Sequence, residues 1–118
     1  QCIYDMKLFR EWMKQASDMG LTEKVHILAG VTPLKSAGMA RYMANNVSGI
    51  TIPDVIIDRM VKAPKGAGAE EGIKICLEQI EELKEIKGVH GIHLMPIEWE
   101  HRVPEIAERA KLIPRPQV

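Results

Sequence analysis

Apolar residues along this chain keep two different rhythms, and the switches between them mark out its elements. Behind Asp5, a residue suited to capping a helix, Leu8, Phe9, Trp12, Met13, Ala16 and Met19 recur every three or four positions, the spacing of one helical stripe. Gly20 supplies the stop. VHILAG, Val25 to Gly30, is instead a short, almost unbroken apolar run, which predicts a strand covered on both faces, as strands of parallel sheets are. Thr32 and Pro33 end it. A helix from near Ser36 carries Met39, Ala40, Met43 and Ala44 until NNVSG breaks it, and Pro53 suits the first turn of the next, IPDVIIDRMVKA, which closes before Pro64. After the loop KGAGA comes the clearest pattern of all: Ile73, Cys76, Leu77, Ile80 and Leu83 on one side, Glu78, Glu81, Glu82, Lys84 and Glu85 on the other, with Gly88 as terminator. VHGIHLMP, Val89 to Pro96, reads as a second buried strand. The last helix runs from about Glu98 or Pro104 to Ala110, ahead of the tail IPRPQV.

Helix, strand, helices, strand, helix is the alternation of βα units around a parallel sheet. Cys2 and Ile3 stand directly before a helix, as Leu28 and Leu94 do, and so read as the end of a third strand. So small a parallel sheet leaves an apolar edge unpaired and one face bare. The chain also opens on Gln1 rather than Met. The expectation is therefore an α/β chain cut from something longer, with residues 1–118 as part of a single domain and further strands upstream.

Composition narrows the function classes. The 118 residues are 46% hydrophobic and 27% charged, within the globular range. Sixteen basic residues balance sixteen acidic ones and are scattered along the chain, which argues against a nucleic-acid partner. No apolar run approaches the ~20 residues of a membrane span, and QCIYDMK is not a signal peptide; the expected setting is cytoplasmic. Cys2 and Cys76 have no zinc spacing and read as structural thiols, and the four histidines supply no metal set.

In α/β barrels the chemistry lies at the carboxyl ends of the strands. Three places qualify: Gln1 with its neighbours, GVTPLKSAG after the VHILAG strand, and MPIEWEH after the VHGIHL strand. Gln1 followed by YDMKLFREW, then ILAGVTPLKS, then GAEEGIKICLEQIEELKEIKGVHGIHLMP together resemble the C-terminal part of methylenetetrahydrofolate reductase, closest to the type of anaerobic bacteria and archaea. The resemblance implies about strands six to eight of a (β/α)8 barrel that uses FAD, with NAD(P)H or another electron donor, to reduce a folate or related pterin. It implies a homo-oligomer or a complex with a partner subunit. The family's catalytic acid and most FAD contacts come from early strands, so no catalytic residue is expected within this chain.

What transfers is a strand-end glutamine that contacts the pterin and the nicotinamide amide, matched by Gln1. An uncharged amide suits that task, since it offers a donor and an acceptor side by side. The family's stacking Phe is replaced by Ala37 or its neighbours in KSAG. A Tyr-Thr-Leu-Asn-Arg-like run is replaced by Met95, Pro96, Ile97, Glu98 and Trp99. Gln1, Ala37, Met95 and Glu98 are therefore the substrate-binding candidates.

Plainer readings stand beside these. Gln1 is also a polar residue at a chain end, and Glu98 and Glu100 also suit a solvated helix start. His26 and His93, placed in strands, read as core or lumen residues, and His90 and His101 as surface. Phe9 and Trp12 read as packing, and GAGAEEG lacks the strand and the Lys-Ser/Thr of a phosphate loop. Two other functions fit the same pattern. One is a pterin- or corrinoid-dependent methyltransferase barrel, which would lack flavin absorbance. The other is a non-enzymatic assembly module, in which the apolar sheet edge pairs with another polypeptide.

Overall fold

The carboxylate of Asp5 accepts the Leu8 backbone N–H at 3.0 Å and so opens α1 (Met6–Asp18); Gly20, at φ 76°, turns the chain out of it. The computed structural model describes residues 1–117, so Val118, the end of the expected tail, lies outside the described residues. A 3-10 turn, Leu21–Glu23, leads into β1 (Ile27–Val31). Ser36 caps α2 (Ala37–Asn46) by accepting the Met39 N–H at 3.1 Å, and α3 (Asp54–Lys62) starts behind Pro53. Then follow α4 (Gly68–Glu85), β2 (Val89–Leu94), a 3-10 turn Glu100–Arg102 and α5 (Val103–Arg109).

β1 and β2 pair in parallel, with Leu28 opposite Gly91, Ala29 opposite Ile92, Gly30 opposite His93 and Val31 opposite Leu94. Ile27 pairs with Val89, which leaves His90 as an extra residue in β2. Its ring takes over the lost ladder bond, Nδ1 accepting the Ile27 N–H at 3.0 Å. On the other side of β1, Cys2 forms an isolated parallel bridge to Gly30, and the Ile3 N–H donates to the Gly30 carbonyl at 2.9 Å. The expected third strand thus appears only as this isolated bridge, and the sheet itself has two strands.

One face of this sheet is well covered. Ala29 and Val31 meet Ile73, Cys76, Ile80 and Leu83 of α4 and Ile106 of α5 in the main core. A second cluster joins Tyr4 and Leu34 to Met43 of α2, Ile56 and Met60 of α3, and Ile75 of α4. α4 reaches the loop after β1 because position 72 is glycine: a Cβ there would run into the Leu34 carbonyl. Arg59 of α3 ties the two helices by pairing with Glu71 at 2.7 Å and with Glu78.

Among the described residues no helix or strand covers the other face, the bare face expected of so small a sheet, so these strands are not covered on both sides within the chain. Leu28 is 59% exposed and His93 is exposed. β1 also begins later than Val25, because the 3-10 turn and a bend occupy the residues up to Val25, which is itself exposed. His26 consequently lies before the strand, exposed, its ring edge-on to His90 with centroids 4.8 Å apart. β2 stops at Leu94 rather than Pro96, and the last helix starts at Val103, behind its 3-10 turn. In α1 the buried residues are Met13 and Ala16, while Met19 (70%) and Trp12 (52%) lie off the core. No helix among the described residues is long and apolar enough to cross a membrane.

Candidate functional site

At the carboxyl ends of the strands, three segments meet over Gly30. A Cβ at that position would overlap the Gln1 carbonyl oxygen and lie 2.8 Å from the Met95 methyl carbon. Glycine therefore lets the bridge strand and the loop after β2 close over β1 from both sides, and it brings two of the expected residues, Gln1 and Met95, together. Met95 is fixed there by its N–H, which donates to the Val31 carbonyl at 2.8 Å.

The Gln1 side chain is exposed but held. Its Nε2 donates to the Ser48 carbonyl at 3.2 Å, and the amide lies against Gly49, which has φ 82°. Beside it runs a cleft of about 420 Å³ between the β1 edge and α1, lined among others by Gln1, Ile3, Phe9, Trp12, Leu28 and Gly49. Phe9 and Trp12 stack, their centroids 6.1 Å apart and their planes 11° from parallel. Phe9 packs on the core as expected, whereas half-exposed Trp12 faces this cleft.

Below the strand ends lies a buried polar trio. The Tyr4 hydroxyl donates to the Thr32 carbonyl at 2.8 Å, and the Thr32 hydroxyl and Cys2 thiol share a hydrogen bond at 2.9 Å. Burial, with smaller contributions from Cys2 and Cys76, pushes the Tyr4 phenol far above its usual range, so it remains a donor. Burial likewise pushes the Cys76 thiol up to about 12, which keeps it an inert core group.

Glu98 sits in the loop after β2 at φ 51°, a backbone region uncommon outside glycine. Its carbonyl accepts the Lys35 ammonium at 2.9 Å, which links the loops that follow the two strands. Beneath it Trp99 is buried, with Lys35 6.0 Å and Arg102 5.0 Å from its ring centre. Ala37 opens α2 and packs half-buried on the second cluster, and like Glu98 and Met95 it does not line the cleft, so of the four expected residues only Gln1 does. The sequence reading missed Thr32, Lys35, Ser48 and Gly49. The first two lie inside the loop already singled out, but nothing local to NNVSG points back to Gln1.

The methylenetetrahydrofolate reductase family model matches residues 1–111. The chain belongs to the methylenetetrahydrofolate reductase family. A search of the curated proteins found no match. Membership puts the chain among oxidoreductases of folate one-carbon metabolism, and its mixed α/β fold with two parallel strands is consistent with part of a (β/α)8 barrel.

Methylenetetrahydrofolate reductases are generally flavin-dependent, but the residues described do not fit FAD. The cleft offers the Gln1 amide and the Asp5 carboxylate among apolar side chains, with no cationic cradle for a diphosphate among its lining residues. The Gly-rich start of α4 carries Glu70 and Glu71 in its first turn, and the hydrogen bond from Arg109 holds the Glu70 carboxyl below its usual range, so it stays anionic where a phosphate would sit. Among the described residues no group of three or more His, Cys, Asp or Glu side chains is placed to hold a metal ion.

Proposed function

We propose that this chain forms the C-terminal βα units, about strands six to eight, of a (β/α)8 barrel that reduces 5,10-methylenetetrahydrofolate to 5-methyltetrahydrofolate through a flavin. The observation that carries this reading is the sheet with one bare face and a primary amide held at its carboxyl end. Helices cover Ala29 and Val31 on one side, while Leu28, Gly30, Gly91 and His93 alternate onto the other. That one-sided cover is what a slice of barrel wall has, its bare side turned to the interior.

In this reading Gln1 supplies part of the folate and nicotinamide side of the site. Its Oε1 and the N–H not given to Ser48 form an acceptor and donor pair, matched to the amide-like edge of a pterin or of a nicotinamide carboxamide. Met95 offers an apolar, adaptable contact beside it. Ala37 and Glu98, which stand off the cleft, contribute through the loops that carry them. The catalytic acid and the FAD contacts come from other strands of the barrel, and the electron donor is NAD(P)H or another reductant. The protein works in the cytoplasm, as a homo-oligomer or with a partner subunit.

The test uses the purified protein that carries this chain. It is expected to show flavin absorbance, and its reduced form is expected to be reoxidised by 5,10-methylenetetrahydrofolate. A colourless protein that transfers a methyl group from a pterin or corrinoid would favour the methyltransferase instead.

A further inference from the structure

Two glycines flank the one side chain on which the proposed site depends, and they act on different parts of it. Gly30 makes room for the Gln1 backbone, and Gly49 makes room for its amide. A Cβ on Gly49 would stand 3.1 Å from Nε2, 3.2 Å from Oε1 and 3.5 Å from Cδ, so it would press on the whole amide plane. The neighbouring Ser48 carbonyl accepts from Nε2. A carbonyl can only accept, so this bond decides which end of the amide is nitrogen.

From these contacts we infer that the Ser48–Gly49 turn, between α2 and α3, is the positioning element of the site. It fixes the plane and the polarity of the Gln1 amide, so that Oε1 and the second N–H meet a ligand edge carrying a donor beside an acceptor. The inference rests on the proposed role of Gln1 as a ligand-contacting residue and adds what holds it in place. A free glutamine side chain samples many rotamers and both amide orientations; restricting it in advance lowers the ordering cost of binding.

The test is a double-mutant cycle in the protein that carries this chain. The readout is 5-methyltetrahydrofolate binding followed by tryptophan fluorescence, since Trp12 lines the same cleft. Gly49→Ala and Gln1→Ala are each expected to weaken binding by about three- to tenfold, the worth of one hydrogen bond. The double variant is expected to bind no more weakly than Gln1→Ala alone, because no amide is left to displace.

Gly66→Ala is the control for backbone strain. Gly66 has φ 84°, almost that of Gly49, but nothing within 4 Å of its Cβ position. It should lose stability as Gly49→Ala does and bind as wild type. If Gly49→Ala fails to fold, Gly49→Asn replaces it, since Asn accepts positive φ yet still places a Cβ on the amide.

Additive losses in the cycle, or equal losses from Gly66→Ala, overturn the positioning role and leave the ligand role of Gln1 standing. Wild-type binding by Gln1→Ala overturns both.

Discussion

Tyr4 carries a hydroxyl into the core because the Thr32 carbonyl, at the turn out of β1, has no strand partner there. The residue is 3% exposed, and its bond to Thr32 is 2.8 Å long. Removing the donor leaves a buried carbonyl unpaired, so Tyr4→Phe should cost about 1–3 kcal/mol. Urea unfolding should show a lower midpoint with an unchanged slope; an unchanged midpoint would mean that water replaces the phenol. Gly30→Ala should be harsher, at about 3 kcal/mol, because its methyl meets the Gln1 backbone and the Met95 side chain at once. Chemistry at this scale was legible only where it was local. Gln1, Met95 and Glu98 stood out as residues at expected strand ends, and the role expected of Gln1 came from the family resemblance. Gly49 did not, because its reason lies across the fold against the Gln1 side chain, and a glycine in NNVSG reads simply as a helix end.

Helices α1 and α4 were readable because a helix with one dry side writes that side into every third or fourth residue. The strands were less so. VHILAG looks buried throughout, yet only its Ala29 and Gly30 are, since apolar content cannot say whether a face is covered within the chain or by something else. Between α4 and α5, ionic ties add to the apolar packing. Glu70 of α4 accepts from Arg109 of α5 at 2.9 Å, and Arg109 also pairs with Glu105 at 3.0 Å. Hydrogen bonds from Arg109 to Glu70, and from Arg102 and then Arg109 to Glu105, hold both carboxyls below their ordinary values. A carboxylate whose pKa is lower in the folded state stabilises that state above its unfolded pKa and ceases to as pH falls through the folded one. Wild type should therefore melt above Arg109→Gln at neutral pH, and the gap should close as pH drops below about 4. The groups are exposed, so added salt should narrow the gap too. A gap that persists at pH 3 would show that Arg109 acts through its packing instead.

For the molecule as a whole, the deciding quantity is the burial of the bare sheet face. In these 118 residues Leu28 is 59% exposed, and Leu8 and Trp12 along the adjoining cleft are about as open, at 50% and 52%. Apolar surface of this kind, gathered on one side, usually marks a place where something else packs. If the proposed barrel is correct, Leu28 points into an interior completed by other strands, and one substitution should have two different outcomes. Expressed as these 118 residues alone, Leu28→Glu should change stability by no more than about 0.5 kcal/mol and should reduce self-association, because an exposed leucine is replaced by a charge. In the longer protein the same glutamate would be forced into the barrel interior, and unless it is hydrated or paired there, it should destabilise by several kcal/mol. Denaturant unfolding of both pairs, with light scattering on the short one, measures the contrast. Equal, small effects in both would mean that this face stays in solvent in the intact protein. The one-sided sheet would then have to be explained without a barrel.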